Sequence, residues 1–321
     1  LVTAKTLPLK RGFVKKQNQL DRLRRLASYA SVSVAISLVL AKLAAYMYTN
    51  ALSLLSSLVD SGVDVLASLI TVFGVIQALA PPDRDHRFGH GKAESLAALA
   101  QAAFIIGSSV FLAFAAADRF VSPIKIEHIT AGYAVMGFSI VMTLALLLFQ
   151  NYVVRKTKSA AITADRMHYV GDALINLAVI VSLAAQNLWG QYWIDPLAAL
   201  LIATYMIVGA VHIGRGAMLV LMDAELPEED RTAILHLTTT TPGVKGAHDL
   251  RTRSDSARPI IEIHVEMEPT LTLNAAHKIV ETVDTRLLAA YPGADILIHQ
   301  DPAGCEEERL DNLIEANDPT P

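Results

Sequence analysis

An acid pair in the middle of an apolar run constrains this chain more than any other feature. Residues 52–75, LSLLSSLVDSGVDVLASLITVFGV, are apolar and long enough to cross a membrane, yet they hold Asp60 and Asp64 near the centre. Four residues apart on a helix, the two carboxylates project from one face, with Cβ atoms about 6 Å apart. One acid at the centre of a spanning helix costs about 2.5–3.5 kcal/mol on insertion scales. Two like-charged acids side by side cost more. Ser56, Ser57, Ser61 and Gly62 surround them, small residues that let neighbouring helices approach closely. A protonated pair hydrogen-bonded to a neighbour satisfies these facts. A cation site inside the bilayer satisfies them too, provided that other parts of the chain supply ligands.

Composition fits a chain that crosses the membrane several times. Of 321 residues, 53% are hydrophobic and 18% charged, against about 25% charged in ordinary soluble domains. The charge is unevenly split. Residues 1–222 hold 19 Lys and Arg against 11 Asp and Glu, net +8, and residues 223–321 hold 8 against 20, net −12. A basic, apolar front followed by an acidic, polar back reads as a membrane domain and then a soluble one. The single cysteine, Cys305, excludes an intrachain disulfide and a CxxC metal site. The first apolar run shows no cleavage-site pattern and reads as a retained span.

Residues 1–25 carry eight Lys and Arg against the one acid Asp21, a basic extension that the positive-inside rule places in the cytoplasm. Apolar spans follow at about 26–48, 52–79, 96–120, 129–153, 160–188 and 193–222, giving a six-helix membrane domain over 26–222. Lys42 lies within the first span and either snorkels or faces the bundle. Pro81-Pro82 stops the second span, and a brief connection around Pro123 separates the third from the fourth. Lys and Arg are plentiful at 81–94 and 154–159 and scarce at 49–51 and 187–195, so both chain ends are expected in the cytoplasm. Beyond Pro227 the pattern is that of a small α+β domain spanning 223–302: a helix at 228–240, strands at 245–253 and 259–267, a helix at 273–290 and a strand at 294–299. The order αββαβ predicts two helices on one face of a three-stranded, ferredoxin-like sheet. The acidic residues 303–321 are expected to be disordered.

Partners for the acid pair come from the fifth span. His168 and Asp172 repeat the one-turn spacing of Asp60 and Asp64. Packed at the same depth, the two helices bring three carboxylates and an imidazole together, a set of four that suits tetrahedral Zn²⁺. A divalent cation would also neutralise acids that cannot all ionise without it. Two intramembrane pairs at matching spacing favour this over a structural hydrogen-bond network. Asp83, His86 and His90 in the polar loop after the second span could hold a metal, or could be ordinary solvated loop residues. In the tail domain, His248, His264, His277 and His299, with Gln300 and Asp301, could converge at one sheet edge, although scattered histidines prove nothing singly.

These stretches together, LVDSGVD, DHRFGHGKAESLAALAQ, ADRMHYVGD, GAHDLRTR, IEIHVEME and ILIHQDP, resemble the cation diffusion facilitator family over about residues 25–302, in particular its bacterial zinc/iron efflux members. The resemblance implies a homodimer of six-span protomers in the inner membrane, each with a metallochaperone-like cytoplasmic domain, that exports Zn²⁺, and also Cd²⁺ or Fe²⁺, in exchange for protons. It implies a transport site at Asp60, Asp64, His168 and Asp172, and a loop site at Asp83, His86 and His90. It further implies a binuclear tail site at His248, His264, His277, His299 and Asp301, supported by Gln300. Lys92 and Asp223 match positions that interlock the protomers. The partners implied are divalent cations, protons, a second copy and the lipid bilayer, with no nucleic acid, and the chain is not expected to be an enzyme.

Two other readings stay open from the residues alone. A membrane-embedded metalloenzyme would use a zinc site to activate water, but four protein ligands with no spare acid or base argue against it. A membrane-anchored metal sensor that transports nothing leaves the acids of the second and fifth spans unexplained.

Overall fold

The computed structural model describes residues 8–49, 52–121, 130–189, 191, 193–256, 258–304 and 309–317. The connection around Pro123 and residues 305–308 and 318–321 of the acidic tail lie outside these residues. The chain divides into two compact units, Val14–Leu221 and one made mainly of Met222–Pro321.

The first unit is helical: α1 (Pro8–Thr49), α2 (Leu52–Ala78), α3 (Lys92–Val121), α4 (Thr130–Thr157), α5 (Ala160–Trp189) and α6 (Ile194–Leu221). Local chemistry sets the ends. Pro81 and Pro82 follow α2, where a proline's missing N–H and fixed φ prevent continuation. Arg155 and Lys156 occupy the last turn of α4, where cations complement the helix dipole. Ser159 caps α5, its Oγ accepting the Ile162 N–H at 3.3 Å.

Five helices among the described residues are long and apolar enough to cross a membrane: α1, α2, α3, α4 and α6. The fifth expected span, α5, is 30 residues long but carries Asp165, Arg166, His168 and Asp172. It packs against α2, α3, α4 and α6. Its first half is largely buried, so these polar groups face protein and not lipid.

Small residues let the helices close up. Met167 of α5 sits over Gly209 of α6, and Met206 of α6 sits over Gly171 of α5, a reciprocal knob-and-hole pair on either side of His168. Gly74 of α2 lies against α3 so closely that an added methyl would overlap Ala97 Cβ and sit 3.2 Å from the Ala93 carbonyl oxygen. Gly74→Ala is therefore expected to cost about 1–3 kcal/mol of stability by overpacking. Gly171→Ala meets only the flexible end of Met206 and should cost less. Thermal unfolding in detergent compares them, and equal melting temperatures would contradict this packing.

At the loop end of the bundle, Arg24 is buried instead of solvated. Its Nη2 donates to the Thr157 carbonyl at 3.1 Å and its Nη1 lies 3.6 Å from the buried Glu94 carboxylate. A residue that reads as part of a basic flank thus ties α1 to α3 and to the end of α4.

The second unit contains α7 (Glu228–Thr239), β1 (Val244–Ser254), β2 (Pro259–Met267), α8 (Leu273–Ala290), β3 (Asp295–Pro302) and α9 (Leu310–Asn317). The three strands lie in the order β1-β2-β3, with β1 antiparallel and β3 parallel to β2. Alternation along β2 sends Ile261, Ile263, Val265 and Met267 into the core with Ile234 of α7 and Val283 and Leu287 of α8. Glu262, His264 and Glu266 take the other face. Thr272 caps α8, its Oγ1 accepting the Ala275 N–H at 3.4 Å. The αββαβ order expected from the pattern is the order observed.

The tail corrects one expectation. Residues 303–321 read as disordered from their acidity, yet Leu310–Asn317 form helix α9. Leu310, Leu313 and Ile314 recur at helical spacing within the acidic composition. The helix is fastened at its start by paired backbone bonds: Asp311 N–H to Asp249 Oδ1 at 3.0 Å, and Asp249 N–H to Asp311 Oδ2 at 2.8 Å. Burial alone would raise the Asp249 carboxyl, but the backbone donors of Asp311 and Leu310 hold it below the usual carboxylate range. The bond accepted by Asp249 is accordingly kept at neutral pH and lost as pH falls through that lowered value.

Candidate metal centres

Asp64 lies 14 residues before the end of α2, and Asp172 lies 12 residues after the start of α5. At 1.5 Å per residue both are about 20 Å from the loop end of the bundle, so the depths match. His168 Nε2 is 3.1 Å from Asp64 Oδ1 and 3.8 Å from Asp172 Oδ2, and the three ligand atoms form a group that could hold one ion. The His168 ring is held edge-on by Phe104 and Tyr169, with centroids 5.8 and 5.5 Å away. His168 is buried, while Asp64 and Asp172 are half-buried and reachable. Asp60, expected as the fourth ligand, does not join this group and its side chain is exposed.

Two features lie beside the trio, and of the two readings of Lys42 the structure takes the one that faces the bundle. Lys42 of α1 donates to Ser61 Oγ at 2.6 Å and to the Ser57 carbonyl at 3.2 Å, so it faces α2 beside the acid pair. One turn before His168, the fully buried Asp165 accepts from Gln150 Nε2 of α4 at 2.6 Å and from Thr71 Oγ1 of α2 at 3.4 Å. Gln101 of α3 donates to that same Thr71 oxygen at 3.0 Å and to the Ala67 carbonyl at 2.7 Å. These bonds cross-link the two ligand-bearing helices just below the trio, a rigid support of the kind that metal ligands need.

The loop set is assembled as well. Asp83 Oδ1 accepts the N–H groups of Asp85 at 3.0 Å and His86 at 2.6 Å. Those bonds, the His86 one foremost, hold its carboxyl below the usual range, so the side chain stays ionised well below neutral pH. His86 Nδ1 and His90 Nε2 lie 3.3 and 3.4 Å from its two oxygens. Gly89 at φ +88° makes the turn that folds His90 back, a conformation that glycine adopts without steric cost.

In the tail domain, β1, β2 and β3 bring His248, His264 and Asp301 into a second ligand group. Asp301 Oδ2 is 2.9 Å from His264 Nδ1 and 3.7 Å from His248 Nε2, and its Oδ1 is 3.1 Å from His299 Nε2. The register pairs His248 with His264 and His264 with His299, so the three imidazoles form a row across the sheet. Gln300 alternates to the helix-covered face and His277 stands on α8 beside Glu281, 3.7 Å away, so neither is brought to this cluster. Glu266 is the unforeseen neighbour, 3.2 Å from His248 Nδ1. Its signal is the alternation of IEIHVEM, which puts it on the histidine face once the strand is placed. Lys92 begins α3 and its Nζ donates to the Leu221 carbonyl at 3.5 Å. Asp223 has φ +55° and lies 3.7 Å from Arg253 Nη1.

Helices long and apolar enough to cross a membrane that bury a carboxylate–imidazole group able to hold an ion, together with an α+β domain that carries a second such group, are the marks of a multi-pass membrane protein that handles metal cations. Residues 28–222 match the cation efflux transmembrane domain, and residues 226–303 match the cation efflux protein cytoplasmic domain. Cation-efflux pump FieF of Klebsiella pneumoniae subsp. pneumoniae is 44% identical over 282 residues, covering 88% of this chain and 94% of that protein. FieF of Serratia proteamaculans is 43% identical over 290 residues, covering 90% of this chain and 96% of its own. A solved CzrB chain in its Zn form is 25% identical and covers 26% of this chain and 97% of that chain, with a TM-score of 0.24. The chain belongs to the cation efflux family, also called cation diffusion facilitators, and is a cation efflux transporter with a cytoplasmic domain, not an enzyme.

Proposed function

We propose that this transporter exports Zn²⁺ from the cytoplasm in exchange for protons, as a homodimer in the inner membrane with both chain ends cytoplasmic. The observation that carries this reading is the approach of His168 Nε2 to Asp64 at 3.1 Å across two membrane helices. One imidazole and two carboxylates suit Zn²⁺, which accepts nitrogen and oxygen ligands at low coordination number. Cd²⁺ and Fe²⁺ fit the same donors. Asp60, one helical turn from Asp64, is within reach of a bound ion after a side-chain rotation and completes the shell as a fourth ligand. Alternating access exposes this set to each side in turn while the helices rock around it.

Asp83, His86 and His90 capture the ion at the loop end. The tail cluster of His248, His264, His299 and Asp301 senses cytoplasmic metal, and the Lys92 and Asp223 positions interlock the protomers. His277 and Gln300 take part only after a rearrangement or contact with another copy. Metal uptake into proteoliposomes with an imposed pH gradient tests the reading: Zn²⁺ and Cd²⁺ should enter faster than Mn²⁺. Absence of Zn²⁺ uptake by folded protein would refute it.

A further inference from the structure

The tail metal cluster and the C-terminal helix α9 grip the same histidine from two sides. On one side, Arg309 donates from Nη2 to Glu266 Oε1 at 2.6 Å, and that same oxygen lies 3.2 Å from His248 Nδ1. His248 is only 7% exposed, and its Nδ1 is buried without an aligned hydrogen-bond partner. On the other side, Asp249 directly follows His248 at φ +50°, within a register shift between His248 and Arg251. That irregular residue exchanges two backbone bonds with Asp311 at the start of α9, at 2.8 and 3.0 Å.

A histidine that ligates a metal through one ring nitrogen generally donates its other N–H to a carboxylate or carbonyl, which fixes the tautomer and the ring plane. His248 Nε2 faces Asp301 and the rest of the ligand group. Its Nδ1 therefore needs an acceptor, and Glu266 is the carboxylate within reach. Arg309 pins that carboxylate, and the Asp249–Asp311 pair pins the backbone that carries the ring.

We propose that α9 is a clip that sets the orientation of His248, with Glu266 and Arg309 as positioning residues, so that docking of α9 and binding of a divalent cation at His248, His264 and Asp301 strengthen each other. This rests on the reading above that the tail cluster binds metal. It gives the C-terminal segment, for which the resemblance supplies no role, a part in tuning the sensor. The coupling is reciprocal by linkage: the factor by which α9 raises metal affinity is the factor by which metal holds α9 down.

The test uses the full chain in detergent, with the membrane and loop sites removed by Asp64→Ala, Asp172→Ala, His86→Ala and His90→Ala. Zinc chloride is titrated against a competing chelator, and amide exchange is followed in α9 and, as a folding control, in β2. In this background zinc should slow exchange in α9. Arg309→Ala and Asp311→Ala should each weaken zinc about tenfold, the low end of the range for groups that support a ligand. Arg309→Lys should retain most of the affinity and Arg309→Met, similar in length but uncharged, should not, a difference that a merely space-filling role would not produce. Unchanged or tighter zinc binding in both alanine variants, with β2 protection intact, overturns the clip while leaving the sensor reading standing. No zinc bound in this background, matching a further His264→Ala, Asp301→Ala variant, overturns the sensor reading and the clip together.

Discussion

Zinc flux is expected to fall at least a hundredfold in Asp64→Ala and in Asp172→Ala, while the protein keeps its elution volume and thermal stability. Each substitution removes one of the three donors gathered around a single ion position, and the incomplete shell cannot repay the cost of stripping water from a divalent cation at mid-membrane. Stability should hold or rise, because an acid at that depth opposes insertion. His168→Ala should lose flux as well, because the one ring both lies between Asp64 and Asp172 and would supply the nitrogen ligand. Flux within threefold of wild type in either folded aspartate variant would remove the trio from the transport path.

A second large effect concerns protons. Metal binding requires the imidazole lone pair and ionised carboxylates, so zinc and protons compete for the same atoms. When the ion leaves, Asp64, Asp172 and His168 remain within a few ångströms of one another, and proton uptake is the simplest way to settle the empty site before it turns back. Apparent zinc affinity at the trio is therefore expected to fall at least tenfold between pH 7.5 and pH 6. An inward proton gradient should accelerate export, with proton movement matched to zinc at clamped membrane potential. His168→Ala should flatten this pH dependence more than Asp60→Ala does, since Asp60 stands outside the gathered trio. Zinc movement without counter-movement of protons would make the protein a uniporter.

The helices and the αββαβ order can be read from the sequence because apolar period and turn residues are local signals. The meeting of Asp64, His168 and Asp172 can be anticipated for a related reason. One-turn spacings on two spans at matching depth leave few other ways to bury the acids. What stays hidden depends on helix rotation or on contacts distant in sequence. The rotation of α2 leaves Asp60 exposed, which a spacing argument cannot foresee. Asp165 draws its partners from α2 and α4, and nothing in the sequence around Thr71 or Gln150 announces them. Arg24 reads as a solvated flank until Glu94 and the end of α4 are placed beside it. Acidity hides α9, because its anchor is a contact with Asp249, far away in the sequence. His277 sits on an exposed helix face, and sequence alone gives no distance from there to the sheet face that carries the other histidines.

The most direct test of the intramembrane site is a zinc count on protein from which the other two sites have been deleted. His86→Ala and His90→Ala remove the loop set, and His264→Ala and Asp301→Ala remove the tail cluster. Equilibrium dialysis at pH 7.5 with and without an added Asp172→Ala then isolates the trio. About one zinc per protomer should remain in the first protein, and none in the second, since a shell that lacks Asp172 no longer closes around the ion. No zinc in the first, or an undiminished zinc in the second, would contradict a transport site built on Asp64, His168 and Asp172.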